Sequence, residues 1–228
     1  VARLRQTPHQ EIATHTLSHL TCLEPGPGAE DFRADLAAAL DLHQDRLGTR
    51  PTSIVFPRNQ VAHLGVCAEL GLTAFRGPAA GRLYAPRPEN RERRARRALR
   101  LVDAYLPLGA PTTWEPRPQR PADLPVDIPA SRLFRPPLSP LGRLDPLRLR
   151  RIEQEMERAA MRGHIFHLWW HPHNLGPDPD RGLADIARVL DRFRRLSERH
   201  GMVSLTMAEA AARLRAAPVP ASAVGVAP

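Results

Sequence analysis

Hydrophobic positions along the chain switch repeatedly between helical and extended spacing. From residue 30 to residue 47 apolar side chains recur at helical intervals, and Gly48 follows as a helix stop. The same reasoning predicts helices at residues 61–70, 91–106, 147–162, 180–200 and 208–214, and strands at residues 53–56, 72–75, 164–170 and 202–205. Alternating strands and helices without hairpin signals predict an α/β fold with a parallel sheet, either open or closed into a barrel.

Two of the predicted helices carry an apolar stripe that should face the core. In the helix at residues 91–106 the stripe consists of Ala95, Leu99, Val102 and Leu106. In the helix at residues 180–200 it consists of Leu183, Ile186, Leu190, Phe193 and Leu196. Between these helices, from Pro107 to Pro146, prolines recur without a sustained hydrophobic period, which predicts a long surface loop. Residues 218–228 are predicted to be a disordered tail, so residues 1–217 form the predicted domain.

Composition excludes a disordered chain and says little about partners. The 228 residues are 42% hydrophobic, enough to bury a core without a disulfide framework. All 33 basic residues are arginines, and they outnumber the acidic residues to give a net charge of +9. Because lysine is absent, we attribute this excess to a composition bias and expect no nucleic-acid partner. A nucleic-acid-binding module around residues 91–100 is the alternative, and it would bind with a steep salt dependence.

The sequence assigns no compartment and no oligomeric state. No apolar run approaches the roughly 18 residues that a membrane-spanning helix needs, so we expect no transmembrane segment in this chain. Cys22 and Cys67 can form at most one disulfide, and they are compatible with a reducing or an oxidising environment.

Three stretches carry side chains suited to chemistry, each where a strand gives way to a loop. His15 and His19 are four residues apart, so both imidazoles can face one side of a helical turn and bind a divalent metal. Arg58 follows the strand at residues 53–56 and can hold a carboxylate through a bidentate pair. In Phe166-His-Leu-Trp-Trp-His-Pro-His-Asn174, alternation along a strand places His167, Trp169 and His171 on one face. Core packing or a solvated surface is the alternative role for each stretch.

Together these stretches resemble the NodB-homology polysaccharide deacetylases, the carbohydrate esterases of family four and their relatives, over about residues 10–210. Glu-Ile-Ala-Thr-His-Thr-Leu-Ser-His is similar to the family's His-Ser/Thr-x-x-His motif, whose histidines bind a metal, usually zinc. The resemblance implies that His15 and His19 are these ligands. It also implies that Arg58 steadies a catalytic aspartate and that His171 is the general acid, with His167 and His173 as the other candidates.

The resemblance further implies a carbohydrate substrate. The side chains assigned to its binding are Trp169, Trp170, His173, Asn174 and Arg76. The sequence departs from the family pattern in two places. Arg58 is not followed by the residues of the family's usual Arg-Pro-Pro-Tyr motif. The segment Phe-Arg135-Pro-Pro-Leu matches that motif more closely, but it occurs too late in the chain. The family's adjacent aspartates, one a metal ligand and one the general base, are missing, because none of the 14 residues before His15 is an aspartate.

We therefore expect a distorted, incomplete (β/α) barrel of the polysaccharide deacetylase type, with the first strands and the aspartate pair either upstream of Val1 or lost. The expected function is metal-dependent hydrolysis of N-acetyl groups from amino sugars of a polysaccharide or its precursor. Without the aspartates, this chain by itself should be inactive. A non-catalytic, carbohydrate-binding relative of the same fold is the alternative.

Overall fold

A computed structural model describes residues 2–216 except 82, 89–90, 107, 110, 118, 120, 122 and 137–142. Across these residues the fold is mixed α/β, with seven α-helices, small parallel sheets and no closed barrel. The helices are α1 (Ala2–Gln6), α2 (Ala29–Leu47), α3 (Leu64–Glu69), α4 (Arg94–Asp103), α5 (Asp145–Arg162), α6 (Pro179–His200) and α7 (Met207–Ala216). The strands are β1 (Ser53–Val55), β2 (Ala74–Arg76), β3 (Val126–Asp127), β4 (Arg132–Leu133) and β5 (Leu168–Trp169).

The chain divides into two compact units. The first contains the described residues of Val1–Arg76, Pro116–Ile128 and Leu205–Pro228, and the second contains those of Gly77–Glu115 and Pro129–Ser204. In neither unit does a described helix combine the length and the apolar character needed to cross a membrane. The predicted tail at residues 218–228 lies outside the described residues.

The first unit is built on a parallel sheet with the order β1-β2-β3. Ile54 pairs with Phe75 across the first two strands, and Phe75 pairs with Asp127 across the next two. On the other side of β1, Thr14 forms an isolated parallel bridge with Ile54. The parallel pairing that the sequence predicts is confirmed, and it brings the carboxyl ends of these segments to one edge.

The core of the first unit packs α2 against the sheet. Phe32 of α2 stacks on Phe56 with ring centroids 5.9 Å apart, and Phe56 meets Phe75 edge-on at 6.0 Å. Cys22 and Cys67 are both buried in this core as free thiols. Burial, with a smaller contribution from nearby Asp35, raises the pKa of Cys22 to about 11. For Cys67, burial and the neighbouring Cys22 raise the pKa to about 12.

The second unit pairs β4 with β5 in parallel and packs α5 against α6. Its apolar core consists of Phe134, Leu149, Ile152, Met156, Val189 and Leu196. Alongside this core lies an unusually large buried polar network around Arg132, Asp103 and Glu155.

The predicted orientation of α4 is wrong. The stripe that should have faced the core is exposed, with Leu99 and Leu106 each about half accessible to solvent and Val102 at 41%. Asp103 is buried instead, where it accepts hydrogen bonds from Arg132 and from Tyr84, both at 2.5 Å. The hydrophobic pattern failed here because a buried charged network, which has no apolar periodicity, sets the orientation of the helix.

Other predicted elements need smaller corrections. The region from Pro107 to Pro146 is not one loop, because it contains β3 and β4. The side-chain amide of Gln119 donates to the carbonyl of Asp127 and accepts the N–H of Asp127. A side chain therefore satisfies the backbone of β3 on this side, where a neighbouring strand would otherwise do so. The strand predicted at residues 164–170 shortens to β5, and residues 202–205 form no strand.

The apolar face of α6 is also rotated relative to the prediction. Leu183 and Leu190 are each 58% exposed. The face that packs against the core runs through Ile186, Val189 and Phe193, which are spaced at helical intervals.

We predict that substitutions on the two sides of α4 have very different effects on stability. Leu99→Ala should change the free energy of unfolding by less than about 0.5 kcal/mol, because Leu99 is exposed. Asp103→Ala should lower it by about 3–5 kcal/mol, because it leaves Arg132 with a single buried carboxylate partner. Urea unfolding monitored by circular dichroism measures both. A large loss in Leu99→Ala with a small one in Asp103→Ala would contradict this orientation.

Candidate functional site

His15 is placed by the backbone pairing of the residue before it. Thr14 donates its N–H to the carbonyl of Ser53, and its own carbonyl accepts from the N–H of Val55, both at 3.0 Å. The chain is therefore extended at this point, and the helical turn expected for His15 and His19 is not formed. His15 instead follows a strand-like segment at the carboxyl edge of the sheet.

The ring of His15 has a defined tautomer. Its Nδ1 lies 2.6 Å from the carbonyl oxygen of Val55, and because a carbonyl only accepts hydrogen bonds, Nδ1 carries the proton. In the neutral ring the lone pair then lies on Nε2. Metal-binding histidines in proteins are commonly oriented this way, with the other ring nitrogen donating to a backbone carbonyl.

His19 lies beside His15 despite the lack of a helix. The two ring centroids are 5.0 Å apart and meet edge-on, and both side chains are exposed. The loop between them is held by Asp35 of α2, which accepts hydrogen bonds from the N–H groups of Leu17 and Ser18 at 2.8 and 3.0 Å. A loop fixed in this way holds the two imidazoles near each other before any ligand arrives.

Backbone strain is concentrated around these rings. Thr16 and His19 have φ angles of 62° and 60°, and Arg58 and Asn59, on the turn after β1, have φ angles of 54° and 56°. The left-handed region is particularly unfavourable for a β-branched residue such as Thr16. Its hydroxyl accepts the N–H of Leu20 at 3.1 Å, which helps to hold the turn. Strained residues collect at functional sites because the surrounding structure must enforce them.

The pKa of His15 lies below its ordinary value of 6.5. Partial burial of the ring is the largest cause, and the nearby charges of His19 and Arg76 act in the same direction. The hydrogen bond to Val55 opposes them. His15 is therefore neutral at pH 7, which is the form that binds metal ions.

Arg76 occupies the end of β2 at the same sheet edge. Its Nη2 donates to the side-chain oxygen of Asn59 at 2.8 Å. Burial lowers the pKa of Arg76 to about 10, so the side chain keeps its charge at pH 7. The positive charge thus lies close to His15 and next to Asn59 of the strained turn.

Arg58, by contrast, extends toward Glu24. Its Nη1 lies 4.0 Å from the Glu24 carboxylate, which also accepts from Gln60 Nε2 at 2.8 Å. Buried Gln60 in turn accepts the N–H of Leu23 at 2.8 Å. The sequence pattern did not predict the roles of Glu24 and Asp35, because their contacts lie far away in the chain.

The two imidazoles fit a divalent metal as two of its ligands. Their proximity, the free lone pair on His15 and its hydrogen bond to Val55 all suit such a role. Over the described ranges, no group of three or more histidine, cysteine, aspartate or glutamate side chains is arranged to hold a metal together. Binding by these residues should therefore be weak and exchangeable, since zinc in hydrolytic sites normally has three protein ligands.

A second group of predicted residues lies in the second unit, after β5. The ring of His171 stacks on His173 with centroids 5.0 Å apart and meets Trp169 edge-on at 5.5 Å. Asn174 accepts the N–H of His171 at 3.0 Å and so fixes the turn Pro172–Asn174. Trp170 is 41% exposed and contacts Phe134 edge-on. The structure thus groups His171, His173 and Trp169, while His167 is tied through its backbone to Ser131.

No family model, curated protein or solved structure matches this chain. The roles suggested for the two groups of residues therefore remain predictions, and function is inferred from the chemistry of the side chains.

We predict that His15 makes the first unit less stable at low pH. In the unfolded chain an imidazole takes up a proton near pH 6.5, whereas in the folded protein His15 does so only at lower pH. Stability should fall as the pH drops from about 7.5 to about 5.5, since the unfolded state then binds more protons. Urea midpoints at the two pH values should differ less in His15→Gln than in the wild type. His200→Gln, at the end of α6, serves as the control, and an effect equal to that of His15→Gln would contradict the prediction.

Proposed function

We propose that this protein is a metal-dependent hydrolase that removes N-acetyl groups from amino sugars of a polysaccharide or its precursor. Its metal would be a divalent ion such as zinc, and its fold a distorted, incomplete (β/α) barrel of the polysaccharide deacetylase type. The observation that carries the proposal is the pairing of His15 and His19 at the carboxyl edge of a parallel sheet, with His15 Nδ1 bonded to Val55. Sites in parallel α/β folds are built at this edge.

In this proposal His15 and His19 hold the metal. When bound, a divalent ion would supply Lewis acidity toward the acetyl carbonyl. The protein's own contribution is orientation: the Val55 carbonyl fixes the tautomer of His15, and Asp35 holds the loop that carries His19. Because the loop is already ordered, little conformational entropy is lost when a ligand binds.

Arg76 would bind and orient the substrate, whereas Arg58 would hold a catalytic carboxylate. Arg76, held by Asn59 and close to His15, offers guanidinium N–H groups that suit hydroxyl or carboxylate oxygens of a sugar. Arg58 extends from the strained turn toward Glu24. In the proposed reaction it steadies an aspartate that accepts a proton from the water attacking the acetyl carbonyl.

His171 would donate a proton to the departing amine nitrogen. Its imidazole is exposed at the end of β5, and stacking against His173 together with the edge contact to Trp169 limits its rotation. Histidine suits this role because its ordinary pKa lies near neutral pH. Trp169, Trp170, His173 and Asn174 would contact the sugar, and the exposed ring of Trp170 offers an apolar face for stacking.

A second candidate function is metal-independent carbohydrate binding. The observation that favours it is the aromatic group formed by Trp169 and the exposed stacked pair His171 and His173, which can contact a sugar ring without any metal. The two candidate functions differ in whether His15 and His19 are required, since only the hydrolase needs them as metal ligands.

We predict that the purified chain binds Zn²⁺ or Co²⁺ weakly and that this binding needs both histidines. Isothermal titration calorimetry should show affinity about ten-fold or more lower in His15→Ala and in His19→Ala, because each removes one of two ligands. His200→Ala, which removes an exposed imidazole from the last residue of α6, should bind like the wild type. Unchanged affinity in both site variants would refute the ligand assignment.

Turnover is tested by acetate release from N-acetylglucosamine oligomers, using the protein expressed from its complete reading frame with zinc added. His15→Ala should abolish release, whereas His200→Ala should leave it unchanged. If the oligomers quench tryptophan fluorescence equally in the wild type and in His15→Ala, and no acetate is released by either, the hydrolase proposal fails and the binding function is favoured.

A further inference from the structure

The second unit contains a cleft lined by five arginines. Arg100, Arg132, Arg135, Arg148 and Arg151 line this small cleft together with Tyr84 and Ser131. Five guanidinium groups around one small cleft repel one another unless carboxylates or a bound anion balance their charge. The hydrogen bonds of each arginine show how much of that balance the protein itself provides.

The carboxylates of Asp103 and Glu155, near the cleft, already accept several hydrogen bonds from the protein. Arg132 donates through Nη1 to Asp103 at 2.5 Å and through Nη2 to Glu155 at 2.7 Å. Glu155 also accepts from the backbone N–H and the hydroxyl of Thr112, at 2.9 and 2.6 Å. Asp103 accepts in addition from Tyr84. Arg151 Nη2 also lies 3.1 Å from Glu155 and 3.9 Å from Asp103. Arg132 and Arg151 therefore share these two carboxylates, which leaves little capacity for Arg100, Arg135 and Arg148.

Several buried N–H groups of the cleft arginines have no partner among the described residues. They are Arg132 Nε, Arg148 Nη1 and Arg151 Nε. Arg148 is only 1% exposed, and its Nη2 is the group that bonds Asp185, at 2.6 Å. Buried donors without acceptors are rare because each loses its hydration without compensation. Three such donors on neighbouring guanidiniums point to a missing acceptor.

Arg135 adds positive charge without a counter-ion. Across the described part of the chain no carboxylate lies within ion-pair distance of its guanidinium, while Arg100 lies close enough to disfavour its charge. Burial is the main cause that lowers the pKa of Arg135. Arg100 itself shares Glu92 with Arg96, so that carboxylate is divided between two cations. The cleft thus carries an excess of positive charge.

We propose that this cleft binds a phosphoryl group, either inorganic phosphate or the phosphate of a phosphorylated sugar. A phosphoryl group has three or more acceptor oxygens and up to two negative charges, which match several donors arriving from separate guanidiniums better than a planar carboxylate does. Arg132 comes from β4, whereas Arg148 and Arg151 come from α5, so the donors approach from different elements. All residues of the cleft belong to the second unit, whereas the proposed metal ligands belong to the first, and phosphate binding needs no metal.

The test is calorimetric titration of the whole chain with inorganic phosphate, at constant ionic strength set with sodium chloride and without added zinc. The wild type should bind phosphate saturably, and Arg135→Gln should weaken the affinity about ten-fold or more. Arg135→Lys, which keeps the charge, should lose less. Arg194→Gln on the exposed side of α6 makes the same change in net charge and should bind like the wild type.

Titrations with a hexose phosphate and with acetate complete the experiment. Tighter binding of the hexose phosphate identifies a phosphorylated sugar as the source, and equal or weaker binding identifies free phosphate. Acetate should bind at least about ten-fold more weakly than phosphate.

The proposal is overturned by non-saturable binding in the wild type, by equal losses in Arg135→Gln and Arg194→Gln, or by acetate binding as tightly as phosphate. Thermal melting of each variant shows whether the fold is kept, and Arg135→Lys decides the matter if Arg135→Gln does not fold.

Discussion

Two backbone hydrogen bonds between Thr14 and β1 determine where the histidines of the first unit lie. They add an extended segment to the sheet, so that His15 emerges at the same edge as the ends of β1 and β2. The carbonyl of Val55 at that edge then accepts a hydrogen bond from His15 Nδ1. This pairing brings together the imidazoles, Arg76 and the strained turn after β1. The contacts between them depend on sheet register and not on closeness in sequence.

The second unit depends on a different constraint, the neutralisation of buried arginines. Buried ion pairs are poor sources of net stability, since desolvation offsets most of the attraction, but breaking one is expensive. The network around Arg132 therefore dictates which side of α4 turns inward, and it does so against the apolar stripe of that helix. The cleft in this unit is positively charged because the described residues that line it include five arginines and no carboxylate.

The sequence predicts those features that depend on local interactions. The bounds of α2 and α5 follow from helical spacing and from Gly48 and Gly163, which adopt the left-handed conformation that ends each helix. The proximity of His15 and His19 was also expected, although the helical turn given as its reason is absent. The two-residue strands β3 and β4, the Asp35 contacts and the orientation of α4 could not be predicted, because each depends on partners distant in the chain and on polar contacts without a hydrophobic period.

The buried thiols make the two units distinguishable in solution. Only the thiolate reacts with alkylating reagents, and in the folded protein Cys22 and Cys67 are both shielded and held as thiols by their raised pKa. The sequence has no other cysteine, so modification by iodoacetamide reports the opening of the first unit and is blind to the second. The rate of that modification, set beside a global spectroscopic signal, tells whether the halves of this chain unfold as one cooperative structure or separately.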